Sequence, residues 1–134
     1  MLRLALAALI FPLAVSAQAQ DDETVVPPDE FEEIVTGKVL EYNVTGSSRL
    51  VGFEAYLPGR KVVFRYRSGS CIGGEWYPEN DKVCFVYDDE PTPNCISYVR
   101  RGRTLAAHDP RADGTTDHFD IKVHKGTELE CAGG

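Results

Sequence analysis

CIGGEWYPENDKVCFVYDDEPTPNC, residues 71 to 95, is the stretch whose reading decides the fold. It holds three of the four cysteines and the only tryptophan. Lys82 to Tyr87 is a run of β-formers (Val83, Phe85, Val86, Tyr87), and Ile96 to Val99 just beyond the stretch is another. Branched and aromatic side chains pack well on a pleated surface, so both runs read as strands. Between them lies Asp88-Asp89-Glu90-Pro91-Thr92-Pro93, an acidic, proline-bearing tip that makes the pair a hairpin. With the turn centred on Asp89 and Glu90, Cys84 falls directly opposite Cys95. Opposed cysteines at non-hydrogen-bonded positions come close enough to be bridged. Four cysteines allow three pairings; this register selects Cys84–Cys95 and leaves Cys71 for Cys131.

Working outward, Gly69, Gly73 and Gly74 punctuate a short strand carrying Trp76, and Glu79-Asn80-Asp81 turns it into the hairpin. Upstream, Lys38 to Val44 is a strand, Gly46-Ser47-Ser48 a turn, and Leu50 to Tyr56 a strand in which Val51, Phe53 and Ala55 share a face. Leu57-Pro58-Gly59-Arg60 places proline and glycine where a type II turn wants them. Lys61 to Arg67 follows, with Val62, Phe64 and Tyr66 on one side and Lys61, Val63, Arg65 and Arg67 on the other. Such alternation is that of a half-buried antiparallel sheet. Downstream, Arg101-Gly102 is a turn and Arg103 to Ala107 a strand. His108 to Asp117 is a polar loop, and His118 to His124 is a last strand with Phe119, Ile121 and Val123 inward; Leu129 to Cys131 closes the domain.

Ahead of the sheet, Asp29 and Glu32 have the spacing of a capping box. Phe31, Ile34 and Val35 share one helical face, and Gly37 suits the position just past a helix end. Two turns of helix are unstable alone, so this apolar stripe must rest on the sheet as a plug or lid. The fold class is therefore mainly β: a small antiparallel meander forming a barrel or half-barrel, with one short N-terminal helix and two disulfides. An immunoglobulin-like sandwich fits less well, because the spacing from Cys71 through Trp76 to Cys84 is too short for that pattern.

Residues 1–19 read as a secretory signal peptide: Arg3, an apolar run from Leu4 to Val15, and the small-x-small site Ala17-Gln18-Ala19. The run is shorter than the roughly 20 residues of a membrane span, so no transmembrane segment is expected in the mature chain. Export to a periplasm or to the extracellular space explains the cysteines, which in an oxidising compartment are most simply disulfides. Residues 20–28 read as an acidic, disordered leader and 29–134 as a single β-rich domain. The net charge of −7 belongs largely to the N-terminal acids Asp21, Asp22, Glu23, Asp29, Glu30, Glu32 and Glu33; from Ile34 onward the two signs nearly balance.

The order of a short helix, Gly37-Lys38-Val39-Leu40, a meander, Gly74-Glu75-Trp76, then Val83-Cys84-Phe85 and Cys95 resembles small exported proteobacterial proteins of unknown function. Their mark is a Gly-x-Trp strand followed by a cysteine-bridged hairpin. The resemblance implies a fold and a compartment and supplies no reaction.

Function is less legible. The chain has no Gly-x-Ser-x-Gly elbow, no C-x-x-C pair and no cysteine left over for catalysis, and no cofactor or metal is expected. His118, Asp120 and His124 share a face of the last strand, but the two histidines would stand roughly 20 Å apart, too far for one ion. Arg60, Lys61, Arg65 and Arg67, with Arg100, Arg101 and Arg103, would form an anion-binding patch if their strands were neighbours. Trp76 and Tyr66 are the side chains expected to stack on a ligand, the alternative being core filling. The reading is of a non-enzymatic exported binding or envelope-accessory protein. Its expected partner is an anionic glycan, a lipid headgroup or an envelope protein, and nucleic acid is not expected. Two alternatives are an inhibitor of a secreted hydrolase such as a lysozyme, inserting a rigid Asp88–Pro93 loop, and a small enzyme of unknown reaction.

Overall fold

The computed structural model describes residues 22–132, so the expected signal peptide lies outside the described residues. Nine strands and one helix follow in order: β1 (Glu23–Val25), α1 (Pro28–Val35), β2 (Lys38–Val44), β3 (Leu50–Leu57), β4 (Lys61–Tyr66), β5 (Cys71–Glu79), β6 (Lys82–Tyr87), β7 (Glu90–Arg101), β8 (Thr104–Pro110) and β9 (Thr116–Lys125). Sequential antiparallel pairing runs from β2 to β9, and β2 also pairs with β9. The meander thus closes into an eight-stranded barrel, not a half-barrel. Closure leaves no long free edge, which is how a small antiparallel protein avoids edge-to-edge association.

The hairpin register is as expected: Cys84 lies opposite Cys95 with Cα atoms 3.9 Å apart, and the two are bridged. The turn itself is shorter than its proline content suggested. Tyr87 pairs with Glu90 across Asp88-Asp89, a bulge after Phe85 restores the register, and Glu90–Pro93 already belongs to β7. Both prolines sit inside the register shift, between Glu90 opposite Tyr87 and Asn94 opposite Phe85, where the ladder is interrupted and their missing N–H groups cost little.

Residues 23–25 are not a disordered leader. They form β1, which pairs with Arg101, Arg100 and Val99 on the edge of β7 opposite β8. Val26 behind it is buried, and its N–H donates to the Tyr98 carbonyl. The acids order this segment: Glu23 pairs with Arg101 and His108, Glu30 with Arg100 and Glu32 with Arg60. The helix begins at Pro28 with Pro27 as its cap residue and no side-chain cap, so the expected Asp29–Glu32 capping box is not formed. Proline is favoured at a first helical position, where its missing N–H is no loss. Gly37, at φ +82°, takes the left-handed turn after the helix.

The helix plugs one end of the barrel. Phe31 and Val35 are fully buried, and the Phe31 ring meets those of Tyr56, Trp76 and Tyr98 at centroid separations of 5.5, 5.6 and 4.2 Å. Burying one such side chain stabilises by about 1.5–3 kcal/mol. Outside the barrel, residues 126–132 run from the end of β9 towards the start of β5. Arg65 Nε donates to the Glu130 carbonyl at 2.6 Å, Ala132 N–H to the Gly69 carbonyl at 2.8 Å, and Cys131 bridges Cys71.

That strap explains a reversal in β3. The inward side chains are Gly52, Glu54 and Tyr56, whereas Phe53 points outward into a groove shared with Leu129 and Arg65. Val51, Phe53 and Ala55 therefore do not share one face: Val51, where the β2–β3 register shifts, packs against the core, while Phe53 points outward. Because the strap covers the outside, both faces of β3 carry apolar residues, and alternation no longer tells inside from outside.

Candidate functional site

The end of the barrel opposite the helix is open. A cavity of about 320 Å³ enters there, at the lower end of the range for small-molecule sites. Its walls are rings and aliphatic groups: Tyr42, Phe64, Tyr66, Tyr87 and Phe119, with Val51 and Ile96. Two glycines make the room. A Cβ on Gly52 would stand 2.5 Å from the Phe64 ring, and one on Gly74 would stand 2.9 Å from the Tyr87 ring and 2.6 Å from the Val86 carbonyl oxygen. These strands therefore accept large rings only because the residues beside them have no side chain.

The polar lining is unusual for a barrel this small. Glu54, 2% exposed, lies inside, where Tyr56 donates to Oε1 at 2.7 Å and Tyr87 donates to Oε2. The Tyr56 hydroxyl is 2.7 Å from that of Tyr42, which is 2.8 Å from that of Tyr98. Each hydroxyl has one proton, so with Glu54 ionised the order is fixed. Tyr98 donates to Tyr42, Tyr42 to Tyr56 and Tyr56 to the carboxylate, and every donor is used. Burial raises the Glu54 carboxyl to about 7, with the two tyrosine hydrogen bonds opposing the rise. All four tyrosines are held above their ordinary value, burial being the largest cause in each. They therefore act as neutral donors at physiological pH.

A second carboxyl, Asp109 on β8, is 3% exposed and also lines the cavity. Its Oδ2 accepts from Asn94 Nδ2 at 3.4 Å and lies 3.9 Å from the Arg111 guanidinium, while its buried Oδ1 has no hydrogen-bond partner. Burial raises its proton affinity, and the Asn94 bond and Arg111 partly offset that rise. Arg111 stands at the rim, half exposed, with Nε donating to Asp117 at 2.6 Å.

No protein-family model, curated protein or solved structure matches this chain. The site is thus read from its own geometry.

Of the residues singled out in the sequence, Tyr66 lines this cavity and is 43% exposed, but Trp76 does not join it. Trp76 is 4% exposed at the closed end, packed on Phe31 and covered by Arg60, whose guanidinium stands 4.9 Å from the ring centre. A side chain sealed on both sides cannot stack on a ligand, so Trp76 is core. The basic residues fall on strands that do not pair: Lys61 and Arg65 on β4, Arg100 and Arg101 on β7, with Arg60, Arg67 and Arg103 beside their ends. Arg60 meets Glu32, Lys61 meets Glu75, Arg100 meets Glu30, and Arg101 meets Glu23 and Asp120. Glu23, which sequence reading placed in a disordered leader, is laid against Arg101.

His118, Asp120 and His124 of β9 go to separate partners. His118 Nδ1 lies 2.6 Å from His108 Nδ1, Asp120 accepts from Thr45 Oγ1, and His124 lies 3.9 Å from Glu41. Sequence reading missed Glu54, Tyr87, Asn94 and Asp109. The sequence carried no signal for Glu54: an acid within the β-forming run from Leu50 to Leu57 reads as an outward-facing polar position.

Proposed function

We propose that this is an exported binding module that takes a small molecule through the open barrel mouth. Two disulfides are compatible with export, and no described helix is long and apolar enough to cross a membrane. The observation that carries the reading is a ring-lined cavity whose lining includes two buried carboxyls, one of them with an unpaired oxygen. Orienting polar groups in a mostly apolar pocket is the usual build of a ligand site. The lining side chains include no serine, cysteine, lysine or histidine, and Glu54 is held by two tyrosines, which supports binding over covalent catalysis.

The test is a solution NMR titration of the mature chain with benzyl alcohol at millimolar concentration. Shifts are expected at the rings of Phe64, Tyr66, Tyr87 and Phe119 and at Asn94, with Trp76 and Phe31 unmoved. Ile96→Trp, which fills the cavity, should abolish them. Shifts at the closed end alone, or none, would overturn the assignment.

A further inference from the structure

We propose that the occupant of the mouth is a small organic cation, an ammonium whose N–H groups meet the Asp109 carboxylate while its carbon skeleton lies among Phe64, Tyr66 and Phe119. This rests on the mouth being a binding site and names the chemistry of its ligand. The first support is Asp109 itself. It is 97% removed from solvent, yet Oδ1 has no donor. A buried acceptor left unpaired costs about 1–3 kcal/mol, and more if charged; Oδ1 is itself closed to solvent, so a ligand recovers that cost by turning the carboxyl until this oxygen meets its donor.

The second support is the sign of the charge. Two carboxyls, Glu54 and Asp109, line the cavity, and the single cationic side chain among the lining residues is Arg111. Arg111 is half exposed and already held by Asp117. An anion entering here meets two carboxyls and a guanidinium whose charge is largely satisfied, whereas an ammonium meets carboxyls short of positive charge. Burial raises both carboxyls, so a positive charge brought beside either one favours its ionised form.

The third support is the wall. Faces of tyrosine and phenylalanine attract cations as well as apolar carbon, worth about 0.5–2 kcal/mol according to how dry the site is. A fully hydrated metal ion gains little from such walls; an ammonium carried on carbon gains from both parts of the cavity. The volume, close to ten waters' worth of liquid, sets the ligand's size at that of a benzylamine, not a lipid chain.

Calorimetric titration of the mature chain with benzylammonium, benzyl alcohol and benzoate at pH 7 tests this. The three probes share a skeleton and differ in charge. Benzylammonium is expected to bind at least tenfold more tightly than the alcohol, and benzoate at least tenfold more weakly. Asp109→Asn keeps the shape and should bring the ammonium within threefold of an unchanged alcohol affinity. If that variant does not fold, the ranking of the three probes on the wild-type chain decides. Alcohol or benzoate binding as tightly as the ammonium would overturn the cation and leave the mouth standing as a site. No binding by any of the three would overturn both.

Discussion

The two ends of the barrel are built from the same kind of residue and put to opposite use. At the closed end, the rings of Tyr56, Tyr98 and Trp76 pack on Phe31, a side chain supplied by the helix that is fully buried among them. At the open end, Phe64, Tyr66 and Tyr87 line a cavity, and the carboxyl-bearing Glu54 and Asp109 are part of its lining. The boundary between the ends is the hydroxyl chain of Tyr98, Tyr42 and Tyr56, which shares its rings with the dry side and ends on the carboxyl of the wet side. The contrast teaches that the helix is not an ornament of the fold. It occupies one mouth of a barrel that has two, and the unoccupied mouth is where polar groups have been placed.

The largest expected effect breaks the closed end. Phe31→Ala removes a fully buried ring that touches three others, and large-to-small changes of this kind cost about 3–5 kcal/mol. Tyr66→Ala at the open mouth removes a ring that is 43% exposed and should cost under about 1 kcal/mol. Denaturant midpoints of the two variants measure the difference directly. Equal midpoints would mean that the helix rests on the barrel without holding it.

A middle effect belongs to the open end and appears as pH dependence. The groups that act on Glu54 and its neighbours are Tyr42 from β2, Tyr56 from β3, Tyr87 from β6, Tyr98 from β7 and, through Tyr98, Asp109 from β8. None of them is a cation. Folding raises the Glu54 carboxyl from an ordinary 4.5 to about 7, so between those values the native state binds more protons than the unfolded one. Stability then falls as pH rises through that window, by at most about 1.4 kcal/mol per unit, and levels off above it. Asp109 is raised as well and adds a fall of the same sign. Glu23, lowered by Arg101 and His108, gives the opposite slope in more acid solution. Glu54→Gln should flatten the profile between pH 5 and 7 in urea titrations. A slope that survives the substitution would place the proton elsewhere.

How far these two ends were legible in the sequence follows from what each is made of. The closed end was nearly readable: Phe31, Ile34 and Val35 at helical spacing demand a surface, and a meander supplies one. Cys84 facing Cys95 came out correctly even though the turn is Asp88-Asp89, because the bulge after Phe85 compensates the shorter loop. The open end was not readable, and the reasons are physical. Period-two alternation assigns inside and outside only when one face of a strand is wet. The strap carrying Leu129 buries part of the outer face of β3, so Phe53 looked like core and Glu54 like surface. Asp109 was hidden differently: it lies in the polar stretch from His108 to Asp117, which reads as a loop, yet Asp109 and Pro110 still pair with Asp117 and Thr116 as strand. The ordered β1 was missed because seven acids without a base among them look solvated, and their basic partners lie far along the chain, 78 residues away for Arg101 with Glu23 and 85 for His108.

Those distant pairs give the smallest expected effect, and they sharpen what holds the plug. Glu30 and Glu32 on the helix meet Arg100 and Arg60, and every one of these side chains is more than a third exposed. Water screens such pairs, and holding two long side chains in one geometry costs conformational entropy, so each is worth about 0–1 kcal/mol. Glu30→Gln should therefore shift the denaturant midpoint by a small fraction of what Phe31→Ala does, and raising the salt concentration should shrink that shift further. The charges choose where the helix lies against the rim, and the ring of Phe31 supplies the energy that keeps it there. If Glu30→Gln destabilised as much as Phe31→Ala, the closed end would be an electrostatic clamp, and its difference from the polar mouth would be one of degree.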